Sequence, residues 1–130
     1  MIDEEYYNKL SYKIIECCYE VHSELGPGLM ESVYETCLMK ELENSGLSVK
    51  QQEELPIVYK GEILEKYYKA DIIVEDLIII ELKSVETILR VHKAQLVSYL
   101  KLSGLKLGLL INFNEASLKN GICRRINGKF

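Results

Sequence analysis

The sequence predicts an α/β fold, in which a mixed sheet (an antiparallel meander plus one strand returning parallel) is flanked by helices. Three observations carry this. Apolar residues recur at spacings of three and four from Tyr7 through Leu10, Ile14, Cys17, Cys18 and Val21 to Leu25, as one face of a helix requires. Two β-branched runs, Ile72 to Val74 and Leu77 to Ile80, meet at an acidic turn around Glu75 and Asp76, as in a hairpin. A strand–helix–strand pattern over Leu77 to Phe113 suits a right-handed parallel crossover. The expected order is ααβββαβ, with one more edge strand at the end.

Asp3 is a natural cap for the first helix, and Glu4 and Glu5 complement the positive end of its dipole. His22 falls on the border of the apolar stripe, where a locally hydrogen-bonded histidine is the ordinary occupant. Gly26-Pro27-Gly28 ends this helix, and a second runs from about Leu29 to Asn44, stopped by Gly46. Glu31, Tyr34 and Glu35 lie within one turn of each other, and Glu31 near the helix start reads by itself as a surface residue complementing the dipole. Leu47 to Tyr59 is extended, with Pro56 marking an edge or a bulge, and Lys60-Gly61 turns the chain into Glu62 to Val74. Leu77 to Lys83 is the next strand, covered on both faces because its apolar run shows no alternation. A helix is expected from about Val85 to Leu102, with His92, Gln95 and Tyr99 stepping along one border. Lys106 to Phe113 is a second doubly covered strand. Ile122 to Asn127 supplies the last edge, where Arg124 and Arg125 form either a charged edge that blocks aggregation or a phosphate contact.

A chain of 130 residues, 48% hydrophobic and 28% charged, has the length and composition of one soluble domain covering residues 1–130. No apolar run is long enough to span a bilayer, and Met-Ile-Asp-Glu-Glu lacks the features of a signal peptide, so a cytoplasmic location without membrane association is expected. Cys17, Cys18, Cys37 and Cys123 form no C-x-x-C pair, which points to reduced core thiols. The nine tyrosines read as half-buried core, or as a surface for a partner. A net charge of −4 argues against a non-specific nucleic-acid coat protein, but leaves room for an enzyme whose acidic site binds cations.

The chemistry gathers around the hairpin. Glu81 and Lys83 are two apart on one strand, so they project from the same face at the end of an apolar run. If hairpin partners sum to 152, Asp71 lies across from Glu81. A strict two-residue turn would pair Asp71 with Ile80 and point it away. A working site therefore requires an odd-length turn or a bulge. Two carboxylates and a lysine at a strand end can form a hard-cation site or a salt-bridged cluster, and the residues by themselves leave both open.

Asp71, then Glu81-x-Lys83 after an apolar strand, resembles the pattern of the PD-(D/E)XK nuclease superfamily, with its restriction-endonuclease-like fold. Ala70 stands where that pattern has proline. Gly28-Leu-Met-Glu31-Ser-Val-Tyr34 is similar to the signature of the GxxExxY proteins, a small family assigned to the same superfamily. Glu20 to Gly28, Tyr59-Lys-Gly61, Ala94-Gln95-Leu-Val-Ser-Tyr99-Leu and Gly108 to Phe113 also look like that family. The resemblance implies a metal-dependent phosphodiesterase that hydrolyses DNA or RNA with a water activated by Mg²⁺ or Mn²⁺. Asp71 and Glu81 would hold the cation, helped by the Leu82 carbonyl and by Glu31 directly or through water. Lys83 would orient the water or stabilise charge building up on phosphorus, and Gln95 would help position the site. Tyr34, Tyr99 and His22 would support it by packing and hydrogen bonding. A chain this short grips few phosphates, so a homodimer or a partner protein would supply the rest of the nucleic-acid footprint. The other function compatible with these residues is a catalytically silent nuclease-fold module for protein interaction or regulation.

Overall fold

The structure, a computed structural model, describes all 130 residues. Its elements are α1 (Glu4–Leu25), α2 (Glu31–Asn44), β1 (Val49–Tyr59), β2 (Glu62–Val74), β3 (Ile78–Lys83), α3 (Arg90–Ser103), β4 (Leu107–Asn112), a 3-10 turn (Leu118–Gly121) and β5 (Ile122–Ile126). The five strands form one sheet in the order β1-β2-β3-β4-β5, antiparallel throughout except for the parallel β3–β4 pair. This is the restriction-endonuclease-like α/β arrangement that the sequence predicts. No helix is long and apolar enough to cross a membrane.

Helix α1 starts where expected, with the Asp3 carboxylate accepting the Tyr6 N–H at 3.0 Å. Its apolar stripe and that of α2 bury Ile14, Cys18, Leu38 and Leu42 against one sheet face, together with Ile78, Ile80, Leu82, Leu109 and Ile111. Helix α3 covers the other face, where Leu96 and Leu100 meet Ile79 and Leu110. Alternate residues of β3 therefore enter opposite cores, and burial of each such side chain contributes about 1.5–3 kcal/mol. Glu81 continues the row of Ile79 and is only 5% exposed.

Helix α3 begins five residues later than its apolar spacing predicts, at Arg90 and not near Val85. Asn112, wholly buried at the end of β4, accepts the Val85 N–H at 3.1 Å and donates to the Val85 carbonyl at 2.9 Å. That exchange copies a backbone pair and holds Val85 outside the helix. Leu89 then caps the helix, and its N–H donates to His92 Nδ1 at 2.9 Å. His92 is thereby used as a cap. Replacing Asn112 with Leu leaves the Val85 N–H unpaired and its carbonyl with only the 3.3 Å contact from Asn114, and is expected to cost about 1–3 kcal/mol, measured as a lower urea midpoint at unchanged m.

The tyrosines depart from the half-buried expectation. Only Tyr34 and Tyr99 are buried, whereas Tyr6, Tyr12, Tyr19, Tyr59, Tyr67 and Tyr68 are exposed. Arg124 and Arg125 lie on β5, at the opposite edge of the sheet from β1. Arg124 donates to Asn8 at 2.7 Å and sits over the Phe130 ring, which ties the edge strand to α1. All four cysteines are free thiols.

Candidate active site

The β2–β3 hairpin sets the site. Its register runs Val74↔Ile78, Ile73↔Ile79 and Ile72↔Ile80, so partners sum to 152 and the turn is the three residues Glu75, Asp76 and Leu77. Glu75 and Asp76 both take left-handed backbone angles (φ 55°) to make this odd-length turn. Beyond Ile72 and Ile80 the backbone ladder stops and the strands are joined by carboxylates. The Asp71 N–H donates to Glu81 Oε2 at 2.7 Å, and the Leu82 N–H donates to Asp71 Oδ2 at 2.8 Å. Each acid thus spends one oxygen on the other strand's backbone.

The other oxygens face the gap. Glu81 Oε1 makes no hydrogen bond within the protein and is not sealed from solvent, and Asp71 Oδ1 has only a 3.3 Å contact from Gln52 Nε2. Because N–H and C=O of one strand residue point to the same edge, the Leu82 carbonyl opens on this gap too. Burial, then the charge of Asp71, pushes the Glu81 carboxyl up to about 8. Asp71 is also raised, first by burial, with Glu35 and Glu31 adding to it against the hydrogen bond from Leu82. Burial, then the charges of Glu81 and Asp71, push the Tyr99 hydroxyl up to about 12.

Lys83 lies on the same strand face and lowers the proton affinity of Glu81, yet it forms no ion pair. The only ion pairs in the protein are Lys9–Glu5 and Lys50–Asp76, both well exposed. The salt-bridged cluster is therefore absent, and buried Glu81 and half-buried Asp71 stand without a contacting cation. Such a pair must take up a proton or a positive ion. The donors on offer are all oxygen, which fits a hard divalent cation and not zinc.

Glu31 departs from its expected role as a direct ligand. It is exposed at the first residue of α2, and no three His, Cys, Asp or Glu side chains converge on one point. Its charge reaches Asp71 nonetheless. Gln95 lines a groove with Tyr68 and Tyr99 on the α3 side, and hydrogen-bonds to neither acid. Tyr34 is wholly buried, stacks on Phe113 at 4.7 Å, donates to the Gly26 carbonyl at 2.6 Å and accepts the Leu29 N–H at 3.1 Å. It fastens the loop that delivers Glu31. Tyr34→Phe is expected to cost about 1–2 kcal/mol and to speed hydrogen exchange at Leu29. His22 Nε2 hydrogen-bonds the Glu115 carbonyl at 2.7 Å and its ring faces Phe113, so it braces α1 and does not face the acids.

Gln52 escaped the sequence reading, and Glu35 was noted only for sharing a turn with Glu31 and Tyr34. Glu35, one turn beyond Glu31, accepts from Gln51 Nε2 at 2.6 Å and from Gln52 Nε2 at 2.9 Å. Its spacing from Glu31 was the available signal. Gln52 carries a left-handed backbone (φ 51°) inside β1, and nothing in the sequence marks it.

A model of the PD-(D/E)XK nuclease superfamily matches residues 8–126, which include Asp71, Glu81, Lys83 and both covering layers. The chain belongs to the PD-(D/E)XK nuclease superfamily. Nuclease members of this superfamily generally use divalent metal ions. No curated protein and no solved structure gave a significant match.

Proposed function

We propose that this PD-(D/E)XK protein is a metal-dependent phosphodiesterase that hydrolyses DNA or RNA, with Mg²⁺ or Mn²⁺ as its cation. The observation that carries the proposal is the interlocked pair of half-buried Asp71 and buried Glu81, raised in proton affinity and without an ion-pair partner. Its outward oxygens and the Leu82 carbonyl would hold the cation, with water filling the other positions. A bound divalent ion supplies charge to polarise a scissile phosphate and activates a water as nucleophile. Lys83, free of any carboxylate, donates to that water or to a phosphate oxygen as charge builds. Glu31 would act on the cation through water, and Gln95 with Tyr99 would steer the strand along the groove on the α3 side.

The finer placement among the GxxExxY proteins belongs to the same proposal and rests on Gly28, Glu31 and Tyr34. So does the reading of residues 1–130 as one catalytic unit in the cytoplasm. The net charge of −4 gives little pull on a polyanion, so a homodimer or a partner protein extends the phosphate contacts. The six exposed tyrosines favour the other reading, a silent interaction module, because they form ready contact residues.

Incubating the purified chain with single-stranded, duplex and branched DNA and with RNA separates the two. Cleavage is expected with Mg²⁺ or Mn²⁺, lost in chelator and lost in Asp71→Asn. No cleavage of any substrate by the folded, metal-loaded chain would leave the interaction module as the function.

A further inference from the structure

Resting on the reading of this chain as a phosphodiesterase, we infer that the outer flank of α3 and the neighbouring strand β5 dock a nucleic-acid duplex by its phosphate backbone, without reading base sequence. The net charge of −4 hides a division of the chain. Residues 1–86 carry 19 of the 20 acids and eight of the 16 Lys and Arg, whereas residues 87–130 carry the other eight cations and one acid, Glu115. The last third is therefore net +7 and the rest −11. Glu115 lies beside α1, where its carbonyl is hydrogen-bonded to His22 Nε2.

The fold gathers four of these cations on one surface. One flank of α3, with Val91, Gln95 and Ser98, lines the groove shared with Tyr68 of β2. Arg90, Lys93, Val97 and Lys101, at spacings of three and four, form the opposite flank, towards β4 and β5. On β5, Arg125 stands directly across from Gly108 and so shares its sheet face. A Cβ at Gly108 would meet the Leu96 side chain at 2.7 Å, which places that face against α3. Asn127 fastens the end of β5 to α3 through the Leu100 carbonyl at 3.3 Å. Arg90, Lys93, Lys101 and Arg125 therefore lie together, and none of them pairs with a carboxylate. The loop from Lys83 delivers the Arg90 end of the row, so the cations lead away from the Asp71–Glu81 gap.

Unpaired charge of one sign over such a surface fits a polyanion. Single-strand binders add exposed aromatics on which bases stack. Here the exposed aromatics belong to α1, to the β1–β2 hairpin and to Phe130, and none to α3 or β5. The surface is thus suited to phosphates alone. Arg90 and Lys101 are about 16 Å apart along the helix, a length over which each strand of a duplex presents about five phosphates.

Fluorescence anisotropy with a short labelled duplex of arbitrary sequence, in chelator so that no strand is cut, tests this on the intact chain across a range of salt. Substituting Arg90→Gln together with Lys101→Gln is expected to weaken binding on the order of 10-fold and to lower the slope of log K against log salt by about 1.8. Tm should move little, because neither side chain has an ion-pair partner. Lys13→Gln together with Lys40→Gln, an equal loss of charge from α1 and α2, should leave both quantities near the parental values. Equal weakening by the two pairs would reduce the effect to net charge and overturn the proposal. So would a parent that binds no duplex, or that binds a single strand more tightly. Tighter binding of polyglutamate would give the surface to an acidic protein and overturn it too. If the Arg90–Lys101 variant binds as the parent does while Asp71→Asn still abolishes Mn²⁺-dependent cleavage, the phosphodiesterase stands without this docking surface. A duplex held through these cations by a chain that cuts nothing would keep the surface and sink the catalytic reading.

Discussion

Lys83→Met is expected to reduce Mn²⁺-dependent cleavage by about 10²–10³-fold, the usual cost of removing one preorganised donor from a developing charge. The protein should stay folded with a nearly unchanged Tm. Lys83 is partly exposed and makes no ion pair, so its stem loses little packing and its ammonium loses no partner. Mn²⁺ affinity should hold or rise, because the only cation acting on Glu81 has been taken away. The expected signature is therefore lost turnover with retained metal binding. Cleavage at the parental rate would mean that this lysine takes no part in the chemistry.

Glu81→Gln should have the opposite balance, losing function while stabilising the metal-free protein. The Glu81 carboxyl is raised in the fold from 4.5 to about 8, so the folded state holds a proton that the unfolded chain releases. The associated stability is fully present below pH 4.5 and drains away as pH rises towards 8, at about 1.4 kcal/mol per pH unit for one proton. Asp71, raised in the same direction, adds to the slope. Glutamine keeps an oxygen for the Asp71 N–H and has no charge to bury. At pH 8 the substitution should stabilise the metal-free chain by on the order of 3 kcal/mol, or roughly 10 °C in Tm, and flatten the pH dependence. Mn²⁺ should restore the parent's stability at pH 8 and do little for Glu81→Gln. A parent whose Tm is flat from pH 5 to pH 8 would contradict the burial of an unpaired acid.

The hairpin's place was legible in the β-branched runs, but its register only on the condition that Asp71 and Glu81 share a site. The β-branched runs require a turn near Glu75, and a shared face for Asp71 and Glu81 requires that turn to be odd. The charged tips at the end of an apolar strand were legible because Glu and Lys at such a place need partners. Helix α3 was misjudged at its start because Val85, Ile88 and Leu89 continue a helical spacing. What stops the helix there is Asn112, which is 27 residues away in sequence. Gln52, and the contact of Glu35 with it, were hidden for a related reason. Their meeting depends on a backbone inversion in β1, and no residue type advertises a left-handed glutamine. The tyrosines misled because an aromatic at a helical or strand spacing reads equally well as core or as surface.

An anomalous-scattering map from a crystal soaked in Mn²⁺ tests the cation site most directly. The expected result is a peak within about 2.5 Å of Asp71 Oδ1 and Glu81 Oε1, with Lys83 Nζ near it but bonded to neither acid. A map without that peak, in which Lys83 Nζ lies within about 4 Å of either carboxylate, would make the charged strand end an ion pair and remove the basis for catalysis.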